Sequence, residues 1–406
     1  MNTVLVVAYH YPPEEGSCSE KNTRIVKKLL DENYNVIVLT KMYHGVKLVE
    51  VKEKLTVLRT RKNGALHKIA SFDCVSKQNV TVGTKGKIKR KISNSIIPDA
   101  IIDWVPEVKK TFKEYKNVLA KSDIILSISS PYSAHLASRY LAQKLNIPFV
   151  MCYGDPWVYE PKRKRGKIRY KYEKRMEKNL IDLSSKVVLI TDWNKKKYEE
   201  LYDISKDKVY TYNIGYDASE CLEIKEKEND GTLKIIYGGS LDKVHRDPEP
   251  FIKAMAKVDD VRAYIFNSDN TEVPMLIEKY GVQDKVILKP IISSKEFYKK
   301  LYEMDVLLLF GNKTPFQVPG KVFTYISTEK GILYIKNNNS DIDGTQKVLD
   351  EYGNAITIKN TSEEIVECLD KMKENKGSNK SINAKQFEFH NTMQPIVNAL
   401  NAVLEK

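Results

Sequence analysis

Apolar residues along this chain fall into short unbroken runs, and between the runs they recur at helical spacing on a polar background. Residues 3–8 form the first run, residues 25–30 have the spacing of one helical face, and residues 35–40 form a second run. Strands that are apolar at every position are buried on both faces, which predicts a parallel sheet with helices packed over it. Further runs at 55–60, 123–129, 148–153, 186–191 and 208–213 continue this grammar. A helix over about 130–145 begins at Ser130-Pro131, where the missing N–H of proline costs nothing. After residue 231 the grammar starts again, with strands expected at 233–237, 261–266, 285–289, 305–310 and 331–335. The pattern therefore predicts an α/β protein with two parallel sheets.

At 406 residues the chain is too long for one ordinary core, so two domains are expected. The charged, apolar-poor stretch 221–231 reads as their linker, which puts the domains at 1–220 and 221–385 and leaves a helical segment at 386–406. The formal charge of +14 asks for anionic company: nucleic acid, an anionic membrane surface or a phosphorylated substrate. Two basic stretches concentrate that charge. One contains Lys85, Lys87, Lys89, Arg90 and Lys91; the other, 161–175, has nine basic residues against one Glu. Within the second, Ile168, Tyr172, Met176 and Leu180 recur every fourth position, which predicts an amphipathic helix with that stripe buried and a cationic face outward, either solvated or, close to the Asp155 loop, meeting a phosphorylated lipid or the membrane. Five cysteines without a CxxC pair argue against a zinc knuckle and a disulfide framework, and a reducing cytoplasm is expected. No basic leader opens the sequence and no apolar run reaches the ~20 residues of a spanning helix, so membrane contact is expected to be peripheral, at the inner face.

The candidate chemistry sits where strands end. The run 233–237 leads into Gly238, Gly239 and Ser240, then Arg246, then a helix expected over 248–258. Glycines let a ligand approach the backbone, a helix N-terminus offers unpaired N–H groups, and Arg246 supplies a forked cation, so the unit is suited to an anion. A Gly-Gly after a strand is also the composition of a plain tight turn. The segment after residue 310 ends in Pro319-Gly320-Lys321, and Lys321 opens a further helix, bringing a second cation to the same place. In the first half, the loop 9–17 follows the first strand at the edge where open α/β sheets bind ligands. His135, expected in the first turn of its helix, is a candidate proton acceptor, and Asp155, in the turn after the strand 148–153, is a candidate carboxylate for an acceptor hydroxyl. Asp341 and Asp343 have Asp-X-Asp spacing but lie in a polar Asn-rich loop, and no metal is expected there.

These segments, in this order, resemble the retaining GT-B glycosyltransferases of family 4. Tyr11-Pro12-Pro13-Glu14 with Gly16 and Arg24 is similar to the family's acceptor loop. Ser130-Pro131 with His135, and Gly154-Asp155-Pro156-Trp157, resemble the Ser-Pro…His and Arg-Asp-Pro-Trp signatures of one subgroup. Asn213-Ile214-Gly215-Tyr216-Asp217 looks like its hinge segment, Gly238-Gly239-Ser240 with Arg246 like its donor turn, and Pro319-Gly320-Lys321 with Tyr325 like its Pro-X-Lys-X-X-Glu-Tyr helix start. The resemblance implies two Rossmann-like domains facing a cleft, with a C-terminal helix crossing back to the first. It implies donor binding by Gly238, Gly239, Ser240, Arg246, Pro319, Lys321, Thr324 and Tyr325, and acceptor binding by Glu15, Gly16, Ser17, His135 and Asp155. Asp155, His135, Arg246 and Lys321 are the implied catalytic set. The implied partners are a nucleotide diphosphate sugar and a glycan or lipid-linked acceptor in surface-polysaccharide synthesis, with no metal or other cofactor.

Two positions depart from the family. Thr324 stands where a Glu usually grips the donor ribose, and Gly154 stands where Arg is usual. A threonine offers one hydroxyl in place of a bidentate carboxylate. The alternative that follows is a weak or inactive homologue acting as a partner subunit. Nucleic-acid binding is suggested by charge alone and is not expected, because no RNA-binding signature or aromatic stacking platform accompanies it. A dehydrogenase is disfavoured because no G-x-G-x-x-G follows either opening strand.

Overall fold

The protein is described from a computed structural model over residues 1–67, 93, 95–159, 165–221, 231–243, 245–266, 272–315, 317–374 and 382–405. The basic residues Lys85 to Lys91, Cys74 and most of the linker expected at 221–231 lie outside this range.

The chain forms two compact units, residues 1–214 with 389–406, and residues 215–388. The division falls a few residues before the charged stretch at 221–231, at Ile214 and Gly215, because Gly215 onward packs with the second unit.

The first unit holds an eight-stranded sheet. Its strands are β1 (Thr3–Ala8), β2 (Asn35–Thr40), β3 (Val49–Lys52), β4 (Leu55–Arg59), β5 (Ile124–Ser129), β6 (Phe149–Tyr153), β7 (Lys186–Leu189) and β8 (Val209–Thr211), in the spatial order 3-4-2-1-5-6-7-8. Every neighbouring pair is parallel except β3–β4, a hairpin that closes one edge. The pattern did not mark β3, since an edge strand reading Val-Glu-Val-Lys has no continuous apolar run. It also missed the helix Trp104–Glu114, whose Trp104, Val108 and Phe112 are buried in the core over one face. The opposite face is covered by the helix Ser17–Asp31 and by the C-terminal helix Gln394–Leu404, whose Ile396, Val397 and Leu400 join the core beneath β1, β5 and β7. That segment crosses back to this unit from Phe389, and His390 Nε2 meets Asp31 at 2.8 Å.

The second unit holds six strands: β9 (Leu233–Gly238), β10 (Val261–Phe266), β11 (Val286–Lys289), β12 (Val306–Phe310), β13 (Gly331–Lys336) and β14 (Ala355–Lys359). Their order is 11-10-9-12-13-14, all parallel. The unexpected β14 is an edge strand with no fully buried residue. In each sheet the chain begins near the middle, winds to one side and then restarts on the other. The reversals fall between β1 and β5 and between β9 and β12, and at such switch points the loops at the carboxyl ends diverge and leave room for a ligand.

Candidate functional site

The switch point of the second unit is opened by the strands themselves. β9 pairs with β12 through Ile235 with Val306 and Ile236 with Leu307, whereas β9 and β10 remain paired out to Gly238 and Phe266. Beyond Ile236 the loops after β9 and β12 bring in two cations. Lys321, first residue of the helix Lys321–Ile326, donates its ammonium to the Gly238 carbonyl. Gly239 is at φ 145, and a Cβ there would collide with that ammonium, so only glycine admits both the backbone conformation and the lysine. Arg246 donates from Nε to Asn312 Oδ1 at 3.0 Å and reaches the Ser240 carbonyl at 3.5 Å. Among the described residues, neither cation has a carboxylate within ion-pair distance. Burial, with Arg246 nearby, pushes the Lys321 ammonium down to about 8. Two like charges held together with no counter-charge favour an anionic ligand.

Other residues around this edge take different parts. Tyr237 donates to the Ser240 carbonyl at 3.0 Å and bends the turn. Tyr325 is fully buried, and Pro319 and Thr324 are half-buried. The structure corrects two expectations here. Gly239 N–H does not point free, because it donates to the Phe266 carbonyl at 3.2 Å and extends the β9–β10 ladder. The helix after the turn is only Glu249–Met255, and its N-terminus is already served by Asp247, whose carboxylate accepts Glu249 N–H at 3.0 Å. The anion-binding character therefore resides in side-chain cations. Asp343 is also committed: it caps the helix Gly344–Tyr352 through Thr345 N–H and Gln346 N–H, and accepts from Tyr334 and Asn338, both at 2.8 Å. Neither Asn312, alone after a strand, nor Asn338, in a run of asparagines that reads only as a polar loop, stands out in the sequence.

The carboxyl edge of the first unit is charged but balanced. Glu14 accepts from His10 at 2.8 Å, from Lys41 at 2.9 Å and from Tyr43 at 2.5 Å. Burial alone would raise its pKa, but the His10 hydrogen bond and charge, with Tyr43 and Lys41, hold it at about 2. Arg59 pairs with Glu50 at 2.7 Å and donates to the Pro12 carbonyl at 3.1 Å, which fastens the proline loop. Glu15, Gly16 and Ser17 are exposed at the start of the helix Ser17–Asp31, and Gly16, at φ 115, leaves that N-terminus without a side-chain cap. Lys21, only 4% exposed, donates to the Ser129 carbonyl at 2.9 Å. A Cβ at residue 154 would lie 2.6 Å from its ammonium, so the lysine occupies the space that Gly154 leaves.

His135 is not where an acceptor could meet it. It has no exposure, its Nδ1 lies 2.7 Å from Ser127 Oγ, and its ring packs on Tyr153. Burial, with Lys21 nearby, depresses its pKa to about 3. The expectation of a proton acceptor for substrate is corrected: a helix residue at this register faces the sheet, and the imidazole is a neutral core group. Asp155, by contrast, is half-exposed in the turn after β6. The turn is held from behind. Tyr132 stacks on Trp157 and donates to the Pro156 carbonyl at 2.8 Å, Tyr198 OH accepts Trp157 N–H at 3.2 Å, and Tyr212 donates to the Tyr153 carbonyl at 3.2 Å.

At the centre of that support is Glu177, fully buried on the helix Lys167–Leu183. It accepts from Tyr198 at 2.6 Å, from Tyr202, and from Val158 N–H at 3.2 Å. Burial raises its pKa to about 7 despite these hydrogen bonds. Beside it, fully buried Glu173 accepts from Arg165 and Arg169, each at 2.6 Å. The predicted stripe on this helix is therefore corrected. Ile168 and Tyr172 face outward, Met176 is half-buried, and only Leu180 is inside, because the glutamates take the inner face. Counting apolar residues could not find this, since the signal was a pair of acids four apart opposite tyrosines distant in sequence.

The fold is that of the GT-B glycosyltransferases. Sucrose-phosphate synthase from Thermosynechococcus elongatus superposes with a TM-score of 0.63 at 11% identity, over 100% of this chain and 95% of that one. HepE from Anabaena, solved with UDP and glucose, gives 0.62 at 12% identity, over 99% and 100%. A UDP-N-acetylglucosamine 2-epimerase shares the fold at 0.55 and 14% identity, over 99% and 95%. No family model matches the sequence, and no curated protein matches it.

Proposed function

We propose that the chain is a retaining glycosyltransferase that takes its sugar from a nucleotide diphosphate sugar bound at the β9/β12 edge of the second unit. The observation that carries this reading is the pair Lys321 and Arg246, two cations at a switch point that have no carboxylate within ion-pair distance among the described residues. Departure of the nucleotide builds negative charge on the diphosphate. An ammonium and a guanidinium fixed in place stabilise that charge as it forms, which a divalent cation does in other transferases. Asp155, half-exposed on a turn held by Glu177, Tyr132 and Tyr198, is the group to accept a hydrogen bond from the acceptor hydroxyl, with Glu15, Gly16 and Ser17 on the loop after β1 as further acceptor contacts. A glycan or lipid-linked acceptor in surface-polysaccharide synthesis is the proposed second substrate.

The test is calorimetric titration of the purified chain with UDP-glucose, UDP-N-acetylglucosamine, GDP-mannose and the free nucleotides. A hit that Lys321→Met and Arg246→Ala each weaken by about 10- to 100-fold, the worth of a charge-assisted hydrogen bond, is the expected result. Silence across the panel would instead favour the partner-subunit reading that Thr324 suggests. Conversion of UDP-N-acetylglucosamine to its 2-epimer without any acceptor would replace transfer with epimerisation.

A further inference from the structure

The helix Lys167–Leu183 is inverted for a helix that only covers a sheet. Its inner face carries Glu173 and Glu177, both with no exposure, beside Leu180 and Ile181. Its outer face exposes Ile168 by 87%, Tyr172 by 56% and Leu183 by 52%. Positions 168, 172, 175, 179 and 183 are three and four apart, so they share one side of the helix. Lys167, Lys171, Arg175 and Lys178 are exposed with them. The helix has three acidic residues: two are buried, and the third, Asp182, is tied to Lys178 at 2.9 Å. What faces out is thus apolar and cationic together, and the inversion is held in place by Arg165, Arg169, Tyr198 and Tyr202 gripping the glutamates from within.

We infer that this face docks on an anionic bilayer, with Ile168 and Tyr172 entering the headgroup region and Lys167, Lys171, Arg175 and Lys178 meeting lipid phosphates. Apolar side chains flanked by lysine and arginine on one helical face suit an interfacial position, in which the apolar atoms sink among acyl chains and the cations stay at headgroup level. A second copy of the chain is a poorer occupant, because it would set Lys171 and Arg175 against their own counterparts. The inference stands on the helix alone and does not need the donor site. It adds a consequence to the transferase reading: Glu177, on the inner face, accepts Val158 N–H, which ties the docked helix to the segment that carries Asp155.

Flotation of the full chain with vesicles tests this, using phosphatidylcholine alone and equal parts phosphatidylcholine and phosphatidylglycerol. The expected result is partitioning to the anionic vesicles only, weakening as salt is raised. Ile168→Ser with Tyr172→Ser should reduce partitioning by about tenfold or more, given the apolar area withdrawn. Lys171→Glu with Arg175→Glu should abolish it. All four positions are exposed, so circular dichroism and melting temperature should stay at wild-type values and separate lost docking from lost folding. Donor titrations in both variants should also match wild type, so failure of the donor reading and failure of docking are told apart. The inference is overturned if wild type ignores anionic vesicles, or if both double variants partition like wild type. Self-association in sedimentation, lost in the Ile168→Ser, Tyr172→Ser variant and unaccompanied by vesicle binding, would give the face to a second copy and overturn it equally.

Discussion

The carboxyl edges of the two sheets begin with the same device and then diverge. In each, a lysine ammonium donates to the carbonyl at the end of a central strand, Lys21 to Ser129 and Lys321 to Gly238, and fills space left by a glycine, Gly154 or Gly239. Around Lys21 the remaining charges are matched, since Glu14 is shared by His10, Lys41 and Tyr43, and Glu50 answers Arg59. Around Lys321 the added group is another cation, Arg246, and the side-chain acceptor it meets is the neutral amide of Asn312. A matched network satisfies itself and suits an uncharged, hydroxyl-bearing partner. A pair of like charges favours an anion, and the Lys321 ammonium, depressed chiefly by burial, is lowered further by the Arg246 charge.

The sharpest way to break this comparison is to remove each lysine in turn. Lys321→Met should lower transfer by about 100- to 1000-fold, the usual cost of one donor to a developing anion. Lys21→Met should leave donor affinity unchanged in the same titration; equal losses would show that the two edges do not differ in kind. A smaller effect should appear in stability. Glu177 holds its proton to about pH 7 when folded and releases it near the ordinary carboxyl value when unfolded. Its contribution is therefore complete below about pH 4.5 and lost as pH rises through 7, about 3 kcal/mol in all. Urea unfolding across that window should show the decline in wild type and a flatter profile in Glu177→Gln. The smallest effect concerns Lys321 itself. Its ammonium is charged below about pH 8, so affinity for the free nucleotide diphosphate should fall about tenfold from pH 7 to pH 9. Lys321→Met should abolish that slope, and a slope retained in the variant would place the titrating group elsewhere.

Much of this architecture was legible in the chain. Buried parallel strands are continuous apolar runs, and β1 and β2 fall at the expected residues because each is enclosed on both faces, while β10 was legible from its β-branched and aromatic residues although one face, with Arg262, is open. The edge strands β3 and β14 were not legible, since a strand half in water has no such run. Arg246 and Lys321 were legible as neighbours because one follows the strand-end glycines and the other opens a helix after Pro319-Gly320. Lys21, Asn312 and Glu177 were not, since each acquires its meaning from a partner dozens of residues away. The helix Lys167–Leu183 failed for a related reason: periodicity identifies an apolar stripe but cannot tell which side of the helix the rest of the protein will bury.

By itself, then, the sequence determined the number of sheets, the strand and helix alternation and the two cations beside the β9/β12 edge, all properties of neighbouring residues and their periods. Tertiary structure alone decided that His135 is a core residue, that Gly239 N–H is already spent on Phe266, and that Ile168 and Tyr172 look outward while Glu173 and Glu177 look in. The physical reason is common to all three. Whether a polar group is available or consumed depends on the partners that folding brings to it, and a buried carboxylate met by arginines and tyrosines can outweigh the preference of an apolar stripe for the interior.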